Sequence, residues 1–228
     1  MPPRRSFLMR HVALREPDAI TAEKYLRVWH SGDLYNRPGD FPRLTSEQLF
    51  GNSRPLELEI GCSTGEYICS LAAANPAHNF LGIEINLKAL YVAAQNASER
   101  GLDNVLFVKA SVQDTYRLMP TDSLQTVYLH FPDPSLHPKY RKRKLLTTAF
   151  LDKMHEALVP SGILSFVTDK AELFEEVLPL LENDPRFEKT HAERFLQGFE
   201  PIVRSRYQLY WERHGGTIFR VELRNAII

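Results

Sequence analysis

The sequence predicts an α/β protein with a Rossmann-like, mostly parallel sheet and an N-terminal arm. Three observations carry that expectation. From Leu56 onward, apolar runs alternate with helical patterns, the order of successive βαβ units. A glycine turn, Gly61-Cys62-Ser63-Thr64-Gly65, directly follows the first run, Leu56 to Ile60. The second run, Phe80-Leu81-Gly82-Ile83-Glu84-Ile85, carries an acidic residue at its end, about twenty residues beyond the turn.

The elements follow in order. Residues 1–50 hold Pro2, Pro3, Pro17, Pro38 and Pro42 among polar residues and read as an arm with one helical stretch near Ala22 to His30. Residues 51–228 form the main domain. Its strands are expected at Leu56 to Ile60, Phe80 to Ile85, Val105 to Val108, Leu124 to Phe131 and Ile163 to Thr168, with a sixth at Phe187 to His191. Helices are expected at Glu66 to Ala74, Leu87 to Arg100, Lys142 to Leu158 and Ala171 to Asn183. Ile218 to Arg224 alternates with period two, as an antiparallel strand added to a sheet edge does.

Composition excludes several classes. The chain has 228 residues, 43% of them hydrophobic, enough for one domain with its own core. No run of about eighteen apolar residues predicts a membrane helix, and no signal-type apolar core follows Arg4 and Arg5, so a cytoplasmic location is expected. Lys plus Arg and Asp plus Glu balance at 28 each, so a nucleic-acid footprint has to be local. Cys62 and Cys69 lack the spacing of a zinc site and are expected to be reduced and structural.

The glycine turn narrows the ligand. It is G-x-x-x-G, without the G-x-G-x-x-G that sets backbone against a pyrophosphate, which disfavours NAD. No Lys-Ser or Lys-Thr pair follows Gly65, so a phosphate-binding loop for ATP or GTP is excluded. An adenosine ligand without phosphates and with positive charge remains. S-adenosylmethionine fits, with Gly61 and Gly65 shaping the turn, Glu59 facing the cation and Glu84 taking the ribose hydroxyls. The plainer alternative is an ordinary βα turn with Glu84 at a solvated strand end.

After the fourth strand comes Phe131-Pro132-Asp133-Pro134, at the sheet end where open α/β folds bind ligands. The flanking prolines restrict the backbone and fix the direction of the Asp133 carboxylate. Lys139-Tyr140-Arg141-Lys142-Arg143-Lys144 puts five cations in six residues near an expected helix start, where cations oppose the macrodipole; a solvated charged face is the usual fate of such a run, but its place beside the site favours phosphate contact. His130, inside an apolar strand, reads as a satisfied core histidine.

Together these features resemble the bacterial tRNA (guanine-N7)-methyltransferases. The resemblance runs from about Phe50 to Glu222 and includes the Leu-Glu-Ile-Gly strand, Asn75-Pro76, Gly82-Ile83-Glu84, the Phe-Pro-Asp-Pro run with Lys142 and Arg143, and Thr168-Asp169. From Ser205 to Arg220 the family pattern can be laid on without a gap. It implies the seven-stranded S-adenosylmethionine-dependent methyltransferase fold, in a monomer or homodimer acting on tRNA without a metal. It further implies that Asp133 lies between cofactor and base, and that Asp169, Ser205, Tyr207 and Gln208 surround the target guanosine. The cations from Lys139 to Lys144 would meet RNA phosphates.

The chain departs from the family at four places. Ser135-Leu136-His137 stands where members carry Trp-Pro-Lys, which puts a partly charged group, His137, at the substrate. The base-reading Glu is Gln208, whose amide offers one acceptor oxygen and no charge. The adenine-side Asp or Asn falls at Ser111, with Asp114 three residues on as a substitute. The turn carries Cys62-Ser63-Thr64 where members usually have a glycine and a lysine. A divergent member is thereby implied; the alternatives are a related RNA base methyltransferase of other specificity and a non-catalytic RNA-binding protein that keeps the fold.

Overall fold

A computed structural model describes residues 15–133, 144–196 and 206–226. Helix α1 (Ala19–Tyr25) runs into strand β1 (Leu26–Val28), followed by helices α2 (Ser31–Asn36) and α3 (Ser46–Phe50). Next come β2 (Leu56–Ile60), α4 (Glu66–Ala74), β3 (Asn79–Glu84), α5 (Leu87–Glu99) and β4 (Val105–Lys109). Then β5 (Leu124–His130), α6 (Thr148–Ala157), β6 (Leu158–Thr168), α7 (Ala171–Glu182), β7 (Phe187–Lys189), α8 (Arg206–Arg213) and β8 (Phe219–Asn225) complete the described order.

The eight strands form one sheet in the order β1-β4-β3-β2-β5-β6-β8-β7. All pairings from β1 to β6 are parallel, and β8 runs antiparallel to both β6 and β7. Chain order runs outward from β2 through β3 to β4 on one side, and from β5 to β6 on the other. The switch point, and with it the crevice for a ligand, lies at the carboxyl ends of β2 and β5.

Strand alternation explains how the sheet is covered on two faces. Leu58, Ile60, Leu81, Ile83, Val127 and Phe166 enter one core together with Phe150 of α6 and Phe174 of α7. Phe80 and Phe107 enter the other with Ile68 of α4 and Leu90 of α5. Side chains buried this completely each contribute about 1.5–3 kcal/mol of transfer free energy.

Several boundaries differ from those the sequence predicts, and those that reshape the fold have physical reasons. The helix expected over Ala22 to His30 covers Ala19–Tyr25 instead, because Leu26–Val28 pairs with Phe107, Val108 and Lys109 of β4 and adds an eighth, edge strand. Trp29, Leu34 and Leu44 are buried in the main core, so residues 15–50 are built into it. Helix α6 starts at Thr148, where Thr147 Oγ1 accepts the N–H of Phe150 at 3.2 Å, and Lys144 precedes it; among the described residues no cation of the run opposes a helix dipole. Strand β5 ends at His130, since Phe131 turns into the left-handed region at φ +50°. Strand β6 begins at Leu158, and its register on β5 shifts between Leu124 and Thr126 before the regular ladder that starts at Ile163.

Candidate active site

The turn after β2 is fixed from both sides. Gly61 has φ +76°, and its N–H donates to the Ile83 carbonyl at 2.8 Å. A β-carbon at Gly61 would meet nothing within 4 Å, so its side opens into the crevice. Gly65 has φ +71° and precedes α4; a β-carbon there would lie 2.7 Å from Ala93 Cβ and 3.0 Å from Phe107 Cζ. Gly65 therefore permits α4 to pack against α5 and the sheet. Asn96 of α5 donates to the Thr64 carbonyl at 2.9 Å and anchors the turn's far side.

Glu84 ends β3 with its carboxylate bound by three backbone donors. Oε2 accepts from Ser63 N–H at 3.1 Å, and Oε1 accepts from Ile85 N–H at 2.8 Å and Asn86 N–H at 3.0 Å. A carboxylate offers about four acceptor sites, so capacity remains for a ligand hydroxyl.

Gly61 and Glu84 line a cavity of about 200 Å³ at the switch point. Ile83, Ile85 and Val112 make an apolar slot beside Glu84, and Asp133 stands on another wall. Ile85 is 70% exposed, an apolar side chain left at the rim. Ser111 and Gln113 also line the cavity, with Ser111 Oγ donating to Gln113 Oε1 at 2.8 Å. Asp114 is not among the lining residues. Gln113, Ile85 and Val112 were not predicted; only their place just past β3 and β4 marked them.

Glu59 is placed differently from expectation. It is buried at 5% exposure and does not line the cavity. Alternation puts it with Glu57 on the other face of β2, which α4 covers. Its charge and that of Glu84 add to burial in pushing the Cys62 thiol well up. Cys69, raised by burial to about 12, is likewise a free, buried thiol. On the same face Glu57 accepts from Tyr128 Oη at 2.5 Å and pairs with His78 Nδ1 at 2.5 Å. His130 is buried and bonded to Ser165 Oγ at 3.0 Å, a satisfied core histidine as predicted.

The strained Phe131 redirects the chain at the crevice. A left-handed aromatic residue costs on the order of 1–2 kcal/mol, and its N–H bond to Val167 O at 2.6 Å with near-complete burial holds it there. Pro132 and Asp133 follow at the junction of the cavity with an adjoining one of about 120 Å³, walled by Leu145 and by Leu173 and Val177 of α7. Lys144 lines the second cavity and pairs with Glu176.

Asp169 follows β6 with its side chain 4% exposed and ion-paired to Lys170. The adjacent Thr168 pairs with Phe219, the first residue of β8, and α8 ends shortly before it. Asp169 and Asp133 both follow the carboxyl ends of neighbouring parallel strands, β6 and β5, where His130 stands opposite Val167. Tyr207 and Gln208 lie on α8, and Gln208 Nε2 donates to Glu212 Oε1 at 2.9 Å. Among the predicted groups, His137, Lys139, Arg141, Lys142, Arg143 and Ser205 lie outside the described residues. Among the described residues no group of His, Cys, Asp and Glu is arranged to hold a metal ion, and no helix is long and apolar enough to cross a membrane.

The donor set fits S-adenosylmethionine: acceptors for a ribose at Glu84, an apolar slot for a purine ring, polar groups at Ser111 and Gln113, and an open glycine.

A family model described as "Putative methyltransferase" matches residues 53–221. The chain is 47% identical over 210 residues to a tRNA (guanine-N(7)-)-methyltransferase of Rubrobacter xylanophilus, covering 92% of this chain and 94% of that protein. It is 40% identical over 202 residues to the protein of the same name from Chloroflexus aggregans, covering 89% of each. Among solved structures, the 16S rRNA methyltransferase KamB superposes with a TM-score of 0.56 at 16% identity, covering 79% of this chain and 92% of that one, which shows the shared fold. By this extent of similarity, the chain belongs to the tRNA (guanine-N(7)-)-methyltransferase family.

Proposed function

We propose that this protein transfers the methyl group of S-adenosylmethionine to N7 of a guanosine in the variable loop of tRNA. The observation that carries the proposal is the cavity at the β2/β5 switch point, where Glu84 and Asp133 stand on walls of one space in a chain of this family. Cytoplasmic action follows from a tRNA substrate.

When bound, S-adenosylmethionine supplies an electrophilic methyl on a cationic sulfur. Glu84 holds the ribose through acceptor sites that its three backbone donors leave over, while Ile85 and Val112 enclose the adenine. Ser111 and Gln113 face the polar rim of that ring. Glu59 acts beneath the turn, as a buried charge near Cys62, and supports the loop that meets the methionine end.

Guanine N7 carries a lone pair and no proton, so the acceptor needs no general base. Alignment is the protein's main contribution, and holding the two reactants in line supplies several kcal/mol. Asp133, at the junction of the two cavities, orients the base and stabilises the cationic purine that forms. Asp169, Ser205, Tyr207 and Gln208 surround the guanosine from the β6 and α8 side. His137 joins them at the substrate, and the cations from Lys139 to Lys144 meet the RNA phosphates.

The test is incubation with unmodified tRNA and methyl-labelled S-adenosylmethionine, followed by borohydride and aniline treatment, which cuts at N7-methylguanosine. Incorporation with a break at one variable-loop guanosine supports the proposal. Incorporation with no break would assign the enzyme to another base, and no incorporation would retire catalysis.

A further inference from the structure

A guanine edge asks for acceptors, and Gln208 brings an amide with donors of its own to the base-reading position. The Watson–Crick edge of guanine presents two donors, the ring N1–H and the exocyclic N2 amino group. An unrestrained amide turns its NH2 group toward them as readily as its carbonyl, and two facing donors repel.

The side chain that resolves this conflict lies one helical turn away. Gln208 and Glu212 share a face of α8, and Gln208 Nε2 donates to Glu212 Oε1 at 2.9 Å. A carboxylate only accepts, so this bond settles the amide's orientation: NH2 toward Glu212, carbonyl Oε1 away from it. Glu212 is exposed and Gln208 half-buried, which leaves the pair accessible to a macromolecule. In chain order α8 precedes β8, whose Phe219 pairs with Thr168 beside Asp169, and the function proposed above sets Gln208 against the guanosine.

We propose that Glu212 is a specificity-determining residue for guanine. It holds the Gln208 carbonyl toward N1–H and offers its own carboxylate to the N2 amino group, so the charge absent at position 208 is supplied from position 212. The inference rests on the guanosine methylation proposed above.

The test compares synthetic tRNA carrying guanosine at the target with the same tRNA carrying inosine, which lacks only the N2 amino group. The wild-type protein is measured first. If it leaves no borohydride- and aniline-labile site, the guanosine assignment fails and takes this inference with it. Given that activity, kcat and KM are measured on both substrates for wild type, for Glu212→Gln and for the double variant Gln208→Glu with Glu212→Gln. The wild type is expected to prefer guanosine by about tenfold or more, the worth of one charge-assisted hydrogen bond. Glu212→Gln should bring the two substrates to near parity, and the double variant should restore the preference. Retention of the preference in Glu212→Gln overturns the proposal. So does an equal loss on both substrates, or a double variant that fails to recover the preference.

Discussion

The Glu84 carboxylate accepts the backbone N–H of Ser63 at 3.1 Å, tying the end of β3 to the glycine turn that follows β2. One side chain thus shapes the loop and faces the cavity. Glu84→Ala is expected to raise the dissociation constant for S-adenosylmethionine by at least about tenfold, since it removes the ribose acceptor and releases three backbone donors. Isothermal calorimetry reads this directly, and an unchanged affinity would remove Glu84 from the site.

Two glycines in one turn predict two different phenotypes. Gly61→Ala meets open space but keeps a left-handed φ, so it should cost about 1 kcal/mol of stability and obstruct the cavity, weakening cofactor binding. Gly65→Ala adds a contact at 2.7 Å to Ala93 and should lower the thermal midpoint more, by about 1–3 kcal/mol of overpacking beyond the backbone cost. Calorimetry for binding and thermal unfolding for stability separate the two; equal behaviour in both assays would contradict this division.

The buried thiols should be silent. Burial first, and neighbouring charges second, push Cys62 well up, and Cys69 rises to about 12 by burial, so almost no thiolate forms near pH 8. A thiol-reactive disulfide reagent is expected to label neither cysteine in the native protein and both in guanidinium chloride. Rapid labelling of the native protein would show that this face of the sheet opens.

A pH-dependent stability should trace to Asp184. Its carboxylate accepts from Arg186 Nε at 2.8 Å and from the Arg186 guanidinium again at 2.7 Å, and this bonding holds it below the ordinary value of 3.8. A depressed folded value adds stability that is full above the unfolded value and disappears as pH falls through the folded one. Asp184→Asn should therefore lower the thermal midpoint at pH 7, with the gap to wild type narrowing below about pH 4. A gap of equal size at pH 3 would assign the loss to packing.

Much of this architecture was legible because apolar runs such as Leu56–Ile60 and Phe80–Ile83 are bounded by turn residues and have helical patterns between them. Glu84 and Asp133 were legible for the same reason, since strand ends locate a crevice. Local pattern failed where pairing partners decided the outcome. Leu26–Val28 reads as helix until β4 is beside it, and the start of α6 at Thr148 is set by its cap, Thr147. Glu59 was assigned by its place at a strand end, whereas the two-residue period of β2 turns it from the crevice. Gln113 and Glu212 were missed because the local turn after β4 and helix α8, which bring them to Ser111 and Gln208 two and four residues away, were not among the expected elements.

A structure of the complex with S-adenosylhomocysteine, the demethylated product, tests the central claim most directly. The account predicts ribose hydroxyls within hydrogen-bond distance of the Glu84 carboxylate, the adenine between Ile85 and Val112, and the sulfur facing Asp133 across the crevice. A product bound away from the β2/β5 switch point, or an Asp133 carboxylate directed away from its sulfur, would contradict it.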